Sequence, residues 1–183
     1  MLQRRALLLA PFVAVAATGA GFYTVLGRMQ TGRFDPHEVP SQLIDRPVPA
    51  FTLPGQDLEP GFSSADLARA PRPTLLNFFA SWCVPCMIEH PELMTLASEG
   101  LPIWGIAYKD TSTATAGFIT RHGNPYARVA RDMPGRVAID FGVYGVPESY
   151  LVDRTGVVRW HYPGPLTPEV VDQRLRPLLK VLG

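Results

Sequence analysis

The sequence contains two cysteines, Cys83 and Cys86, and only two residues separate them. This spacing lets the two sulfurs meet across one turn and close a small disulfide ring. If a helix begins here, its unpaired N–H groups and partial positive charge stabilise a thiolate and lower the pKa of the nearer cysteine. We therefore predict that Cys83 attacks a substrate disulfide and that Cys86 then resolves the mixed disulfide.

Other roles for the cysteine pair stay open at this point. A structural disulfide usually joins distant segments, because a short loop gives little chain-entropy stabilisation. The flanking Trp82 disfavours a simple pair of core cysteines. A four-ligand metal site would need two more side chains, and His90 is the one plausible candidate nearby. Two thiolates could still hold Cu(I), so a Cu(I)-binding metallochaperone is an alternative to our prediction of a redox-active disulfide with no metal and no other cofactor.

Two apolar runs and a helix must position the cysteines. Residues 74–80 are apolar except for Asn77, which predicts a strand buried on both faces. A helix should follow from Val84 to about Ala97, and residues 101–107 predict a second buried strand. The cysteines would then stand at a strand-to-helix corner. Further along, the pattern predicts helices over residues 113–122, 135–141 and 168–182, and a hairpin of strands over 149–153 and 157–161.

This order of elements predicts an α/β fold with a central mixed β-sheet flanked by helices on both faces. The length of 183 residues suits one domain with a small extension, and 46% hydrophobic against 18% charged residues excludes wholesale disorder. Lys and Arg number 17 and Asp and Glu number 16, so the net charge is +1. This balance offers no basic excess to neutralise phosphates, and we predict no nucleic-acid partner.

The N-terminus predicts one transmembrane helix that acts as a signal-anchor. Residues 6–26 carry no charged side chain, and as a helix they would reach about 31 Å, the thickness of a bilayer's hydrocarbon core. Arg4 and Arg5 precede them, which favours a cytoplasmic N-terminus with the rest of the chain exported. The alternative is a cleaved signal peptide, since residues 14–16 have the small-x-small form. We expect the anchor and its flanks over residues 1–30, a linker over 31–42 and the catalytic domain over 43–183.

The run Phe79-Ala80-Ser81-Trp82-Cys83-Val84-Pro85-Cys86 resembles the active-site motif of thioredoxin. Pro91 matches the proline that kinks the active-site helix in that fold, and Val146-Pro147 matches the cis-proline that faces the disulfide. The resemblance implies a thioredoxin-like fold in which Trp82 and Pro85 flank the cysteines. It also implies that the Val146 backbone can pair with a bound peptide strand beside the sulfurs.

Three further runs narrow the resemblance: residues 108–110 (Tyr-Lys-Asp), 123–126 (Gly-Asn-Pro-Tyr) and 142–153, which open with Gly-Val-Tyr-Gly-Val-Pro-Glu. They are similar to the CcmG/DsbE proteins, membrane-anchored reductases of cytochrome c maturation. The likeness implies a single-pass protein of the inner membrane with its catalytic domain in the periplasm. This likeness implies that the dithiol reduces the CxxCH disulfide of apocytochrome c, or a mixed disulfide with a maturation partner. A membrane electron donor of the DsbD/CcdA type would then re-reduce the chain. A generic periplasmic disulfide oxidase stays an alternative, because sequence rules do not give the direction of electron flow.

Thioredoxin carries a buried Asp six residues before its first cysteine, and this chain has Asn77 there. An amide cannot act as a general base, so a carboxylate elsewhere would have to modulate Cys86. Glu89 and Glu148 are the candidates, because a nearby carboxylate raises a thiol's pKa or accepts its proton. The alternative for Glu89 is a solvated place on the helix surface. Among other side chains, we expect His90 on the helix surface, Trp104 in the core, and Trp82 over Cys83 and in contact with partners.

Overall fold

The computed structural model describes residues 14–25, 27, 41–55 and 60–183. The chain divides into two compact units, Met1–Val39 and Pro40–Gly183. In the first unit, residues 14–25 are helical (α1). Across the described residues, no helix is both long and apolar enough to span a bilayer. The predicted anchor over residues 6–26 lies partly outside the described residues, and the predicted linker over 31–42 lies mostly outside them. The anchor, the linker and the domain bounds therefore stay predictions.

Seven strands lie in the described part of the second unit: β1 (Thr52–Leu53), β2 (Phe62–Ser63), β3 (Thr74–Phe79), β4 (Ile103–Tyr108), β5 (Arg128–Asp132), β6 (Glu148–Val152) and β7 (Val158–Pro163). β1 and β2 form a small antiparallel pair, and the other five form one sheet in the order β5-β4-β3-β6-β7. β3, β4 and β5 are parallel, whereas β6 and β7 are antiparallel to their neighbours. The predicted mixed sheet, parallel first and antiparallel at the hairpin, is confirmed.

The helices of this unit are α2 (Ser64–Leu67), α3 (Val84–Ser98), α4 (Ser112–His122), α5 (Arg136–Phe141), α6 (Pro168–Val170) and α7 (Arg176–Leu182). The predicted last helix is interrupted, because a π-helical segment, Val171–Leu175, joins α6 to α7. Pro177 lies just inside α7 and lacks the N–H that an uninterrupted α-helix would pair with the carbonyl of Gln173. That missing bond accounts for the irregular turn beside it.

Strand β5 and the pair β1–β2 were not predicted from the sequence pattern. β5 spans Arg128–Asp132 and holds three charged residues among five, so it lacks the apolar run of a buried strand. Ala130 and Asp132 are nevertheless buried, and Asp132 accepts hydrogen bonds from the backbone N–H groups of Arg136 and Ala138. The strand is held by its parallel ladder to β4, which is a tertiary contact.

Apolar side chains fill both faces of the sheet. On one face, Leu76 and Phe78 of β3 pack with Tyr150 of β6 and Phe141 of α5. On the opposite face, residues of β3 pack with the buried sides of α3 and α4, and the partly buried Leu178 and Leu179 of α7 lie against them. The buried members of this second cluster include Leu75, Phe79, Cys83, Cys86, Leu93, Leu96 and Phe118. Each fully buried large side chain contributes roughly 1.5–3 kcal/mol. The cysteine pair therefore belongs to the apolar core on the face of the sheet against which α3 packs.

Candidate active site

Local chemistry sets the corner that carries the cysteines. β3 ends at Phe79 and α3 begins at Val84. Cys83 is the N-cap of α3, and its Sγ accepts the N–H of Cys86 at 3.1 Å. Pro85 stands in the first turn, where its missing N–H leaves no helical bond unmade. The predicted position of Cys83 at a helix N-terminus is confirmed.

Cys83 and Cys86 form a disulfide with a Cα–Cα distance of 5.3 Å. Exposure does not separate the two residues, which are 3% and 2% exposed in this oxidised form. What separates them is the helix N–H that points at Cys83 Sγ, since such a donor stabilises a thiolate there. The geometry thus favours Cys83 as the attacking sulfur on electrostatic grounds.

A proline loop, residues 144–147, faces the disulfide. The Val146–Pro147 peptide bond is cis, as the resemblance implies. The carbonyl oxygen of Val146 lies 3.3 Å from Cys83 Sγ. Val146 also packs against the apolar clusters on both faces of the sheet. The loop therefore presents its backbone directly beside the sulfur that a substrate must reach.

The rim of the site is aromatic and is tied to the loop after β4. Trp82 is 57% exposed, and its indole N–H donates to the Lys109 carbonyl at 3.4 Å. The Trp82 ring lies 6.5 Å from the ring of Tyr108. The carboxylate of Asp110 accepts the backbone N–H of Ser81 at 2.7 Å and its hydroxyl at 3.0 Å. This contact fixes the residues immediately before Cys83, a role that residue types alone did not reveal although residues 108–110 had been noted as a motif.

Glu89 is buried, not solvated, on the helix face that also carries Cys86. It follows Cys86 by three residues on α3, so the two side chains share one helix face. Its Oε1 accepts an N–H from the Asn77 amide at 3.0 Å, and its Oε2 accepts the Leu166 N–H at 3.0 Å. Burial raises the pKa of Glu89 to about 7, and these two hydrogen bonds oppose that rise. A carboxyl group that titrates near neutrality is suited to exchange a proton with a thiol on the same buried helix face.

The amide of Asn77 is the centre of a buried polar network. Its Oδ1 accepts the hydroxyl of Tyr126 at 3.0 Å, and its Nδ2 also donates to Ser149 Oγ at 3.1 Å. Every polar atom of this amide therefore has a partner, which a buried amide requires. Tyr126 belongs to the run of residues 123–126, which sequence reasoning noted without a role.

Glu148 is also buried, but the structure places it among different partners. Along β6, Glu148 and Tyr150 share one face of the sheet, whereas Leu151 packs on the face that carries the cysteines. The Glu148 carboxylate accepts the N–H of Tyr144 at 3.0 Å and lies 2.7 Å from His161 Nε2. The hydrogen-bond partners of Glu148 do not include Cys86, so no direct contact supports the predicted modulation of that thiol. This carboxylate instead contacts the backbone of the proline loop.

The prediction of His90 on the helix surface is wrong. His90 is buried, its Nε2 lies 3.0 Å from the Gly123 carbonyl oxygen, and its ring meets Phe118 edge to face. Burial lowers the pKa of His90. The buried residues of α3 are Cys86, Glu89, His90, Leu93 and Leu96, which follow the spacing of one helix face. That spacing is the sequence signal that could have placed both Glu89 and His90 inside.

Within the described residues, no group of three or more His, Cys, Asp or Glu side chains could hold a metal ion. A cavity of about 550 Å³ lies between α4 and β5 and is lined by Ala116, Ile119, Tyr126 and Arg128, among others. Neither cysteine lines it.

A strand–corner–helix with a CxxC disulfide at the helix start, facing a cis-proline, defines a thioredoxin-like thiol:disulfide oxidoreductase. Residues 44–161 match the AhpC/TSA family. HelX of Rhodobacter capsulatus, a thiol:disulfide interchange protein, is 38% identical over 94% of this chain and 95% of its own length. The chain belongs to the AhpC/TSA family and, within it, to the DsbE/HelX thiol:disulfide interchange proteins.

Other relatives agree with this assignment. DsbE of Escherichia coli K12 is 37% identical over 96% of this chain and 95% of its own length. DsbE of Pseudomonas aeruginosa is 42% identical over 81% of this chain and 82% of its own length. The crystal structure of a DsbE protein from Chlorobium tepidum has a TM-score of 0.62 and 26% identity, covering 75% of this chain and 96% of that one. The predicted thioredoxin-like fold and dithiol–disulfide exchange are confirmed.

Proposed function

We propose that this chain is a membrane-anchored periplasmic reductase of cytochrome c maturation. Its Cys83–Cys86 dithiol would reduce the CxxCH disulfide of apocytochrome c, or a mixed disulfide with a maturation partner. The observation that carries the proposal is the disulfide at the start of α3, 3.3 Å from the Val146 carbonyl oxygen of the proline loop. The relatives' names support thiol:disulfide interchange, and the likeness to CcmG/DsbE proteins supports the maturation role.

The exchange proceeds in two sulfur-transfer steps. The Cys83 thiolate attacks one substrate sulfur, forms a mixed disulfide and releases the other substrate sulfur as a thiolate, which takes up a proton. Cys86 then loses its proton and attacks Cys83 Sγ, which expels the second substrate thiolate and closes the Cys83–Cys86 disulfide. Two electrons pass to the substrate. Cys83 is the entry point because the Cys86 N–H already points at its Sγ.

Glu89 is proposed to take part in the second step. Cys86 must lose its proton before it attacks, and Glu89 follows it by three residues on the buried face of α3. Its pKa of about 7 means that a large share of the carboxyl groups is free to accept a proton near neutral pH. Asn77 holds the carboxylate through its N–H, although it cannot itself act as a base.

A reductase in the periplasm needs its own electron donor. Each turnover converts the dithiol to the disulfide, and an oxidising compartment holds no glutathione pool to reverse this. We propose a membrane electron carrier of the DsbD/CcdA type as the donor. An anchor formed by residues 6–26 would keep the domain beside such a partner and raise the effective concentration of the two.

The test uses the reduced full-length chain in detergent and a disulfide-bonded CxxCH peptide. We expect the peptide to leave as a dithiol and the chain to become oxidised. Cys86→Ser should accumulate a mixed disulfide with the peptide, and Cys83→Ser should form none. A chain that stays reduced at equilibrium with the oxidised peptide would refute the reductase direction and favour an oxidase. Trapping by Cys83→Ser instead would reverse the roles of the two sulfurs.

A further inference from the structure

The carboxylate of Glu148 is buried where the proline loop joins strand β6. Its side chain is 1% exposed. One oxygen, Oε1, accepts the backbone N–H of Tyr144 at 3.0 Å and that of Gly145 at 3.4 Å. These two residues lie directly before Val146 and Pro147. Glu148, the first residue of β6, therefore holds the backbone of the loop that faces the disulfide through two hydrogen bonds.

The other oxygen of Glu148 is held by a histidine from the neighbouring strand. His161 Nε2 lies 2.7 Å from Oε2, and the histidine side chain is only 6% exposed. A carboxylate oxygen can only accept, so the ring nitrogen donates. The imidazole stacks on the ring of Tyr150, with centroids 4.5 Å apart and planes inclined by 29°. Tyr150 and His161 are also register partners across β6 and β7, so the sheet fixes where the donor stands.

Tyr150 completes the surroundings of the carboxylate. Its hydroxyl has the Phe141 carbonyl oxygen at 3.0 Å and Glu148 Oε2 at 3.3 Å within reach. With two loop N–H groups at Oε1 and the imidazole N–H at Oε2, the buried carboxylate has a donor on each oxygen, as a buried carboxylate requires. Removal of the imidazole donor would leave Oε2 without its shortest contact. The carboxylate would then be held less firmly, and its hydrogen bonds to the N–H groups of residues 144 and 145 would weaken.

We propose that His161 is a positioning residue for substrate binding, which acts through Glu148 on the proline loop. The inference rests on the proposed function, because it assumes that a peptide carrying the disulfide pairs with the Val146 backbone beside Cys83. A small disulfide without a peptide backbone reaches Cys83 without this contact. His161 therefore affects the binding of peptides and leaves the reactivity of the sulfur unchanged.

Two substitutions at one position separate the donor from the ring. His161→Phe keeps a ring to stack on Tyr150 and removes the donor, whereas His161→Gln restores an N–H donor. His122→Phe is the matched control, since His122 is an exposed histidine at the end of α4. Glu148→Gln is a second test of the same hydrogen bonds. An amide has one accepting oxygen, so it cannot accept both from His161 and from the loop N–H groups as a carboxylate does.

Each reduced full-length variant is mixed with a concentration series of disulfide-bonded CxxCH peptide, and single-turnover rates are recorded. The same chains are mixed with hydroxyethyl disulfide, which has no peptide backbone. His161→Phe should raise the half-saturating peptide concentration about tenfold, the scale of one lost charge-assisted hydrogen bond. The maximal rate and the rate with hydroxyethyl disulfide should stay within about twofold of wild type. His161→Gln should recover most of the loss, Glu148→Gln should resemble His161→Phe, and His122→Phe should match wild type.

The proposal is overturned if the half-saturating peptide concentration is unchanged in His161→Phe and Glu148→Gln. It is equally overturned if these substitutions slow the reduction of the peptide and of hydroxyethyl disulfide by the same factor. It is also overturned if His161→Gln is no better than His161→Phe, since the ring and not the donor would then matter. A wild-type chain that reduces hydroxyethyl disulfide but not the peptide refutes the proposed function, and the His161 proposal with it. A wild-type chain that reduces both supports the reductase activity, and the variants then decide the His161 proposal alone.

Discussion

Glu89 should make the free energy of unfolding fall as the pH rises through the range from about 4.5 to 7. Its pKa is raised from 4.5 to about 7, and burial is the first cause. The folded chain therefore keeps a proton on Glu89 over a pH range in which the unfolded chain has lost it. Stability from this group is present in full below the unfolded pKa and is lost as the pH reaches the folded pKa. The size of the effect is about 3 kcal/mol, from 1.36 kcal/mol per pH unit.

The perturbation that isolates this effect is Glu89→Gln, which removes the titrating group and keeps its shape. Wild type should lose about 3 kcal/mol relative to the variant between pH 4.5 and 8, whatever the constant offset between the two. The offset itself reflects the N–H of Leu166 or of Asn77, one of which a glutamine oxygen leaves without an acceptor.

Urea denaturation of the oxidised unit Pro40–Gly183 at several pH values gives the two curves. The disulfide stays intact in both proteins, so no cysteine titrates and all other groups cancel in the difference. A difference that does not change with pH would refute the reasoning, because Glu89 would then titrate alike in the folded and unfolded chains. A difference that grows in favour of wild type as the pH rises would show that the hydrogen bonds outweigh burial.

Two further predictions concern the supports of the site. Asp110→Asn should lower the free energy of unfolding by about 1–3 kcal/mol and slow peptide reduction, because an amide has only one accepting oxygen and leaves the N–H of Ser81 or of Thr111 without an acceptor. Urea denaturation beside the exposed Asp140→Asn control checks this prediction, and equal effects of the two substitutions would contradict it. Leu93→Ala, on the buried face of α3, should cost about 2–5 kcal/mol by the same assay, whereas Ile88→Ala on its exposed face should stay within about 0.5 kcal/mol.

Much of the site could be derived from residue types and spacing. The corner at Cys83 follows from an apolar strand, a cysteine able to cap a helix and a proline in the first turn, all of which are local features. The cis-proline and the thioredoxin-like fold followed from resemblance at residues 79–86 and 142–153. The surroundings of Glu89 could not be derived this way, because its second oxygen is held by the N–H of Leu166, 77 positions along the chain.

The two acidic candidates show where residue-level reasoning ends. From the sequence, Glu89 and Glu148 were both candidates to modulate Cys86, and Glu148 was favoured because it stands next to Pro147 and matches the family's groove. The fold separates them: Glu89 lies on the helix face that carries Cys86, and Glu148 lies on the side of the sheet that carries Tyr150. The difference depends on which way each side chain points from its helix or strand, and in a strand a shift of one residue would exchange the faces.

By itself, the sequence determined that a disulfide pair stands at a strand-to-helix corner, because capping, apolar runs and proline positions act within a few residues of one another. Only the tertiary structure decided which charges are buried and what holds them, as in the contact of His161 with Glu148 across two strands. The physical reason is that burial and hydrogen-bond satisfaction depend on groups brought together by the whole fold, and sequence distance carries almost no information about them.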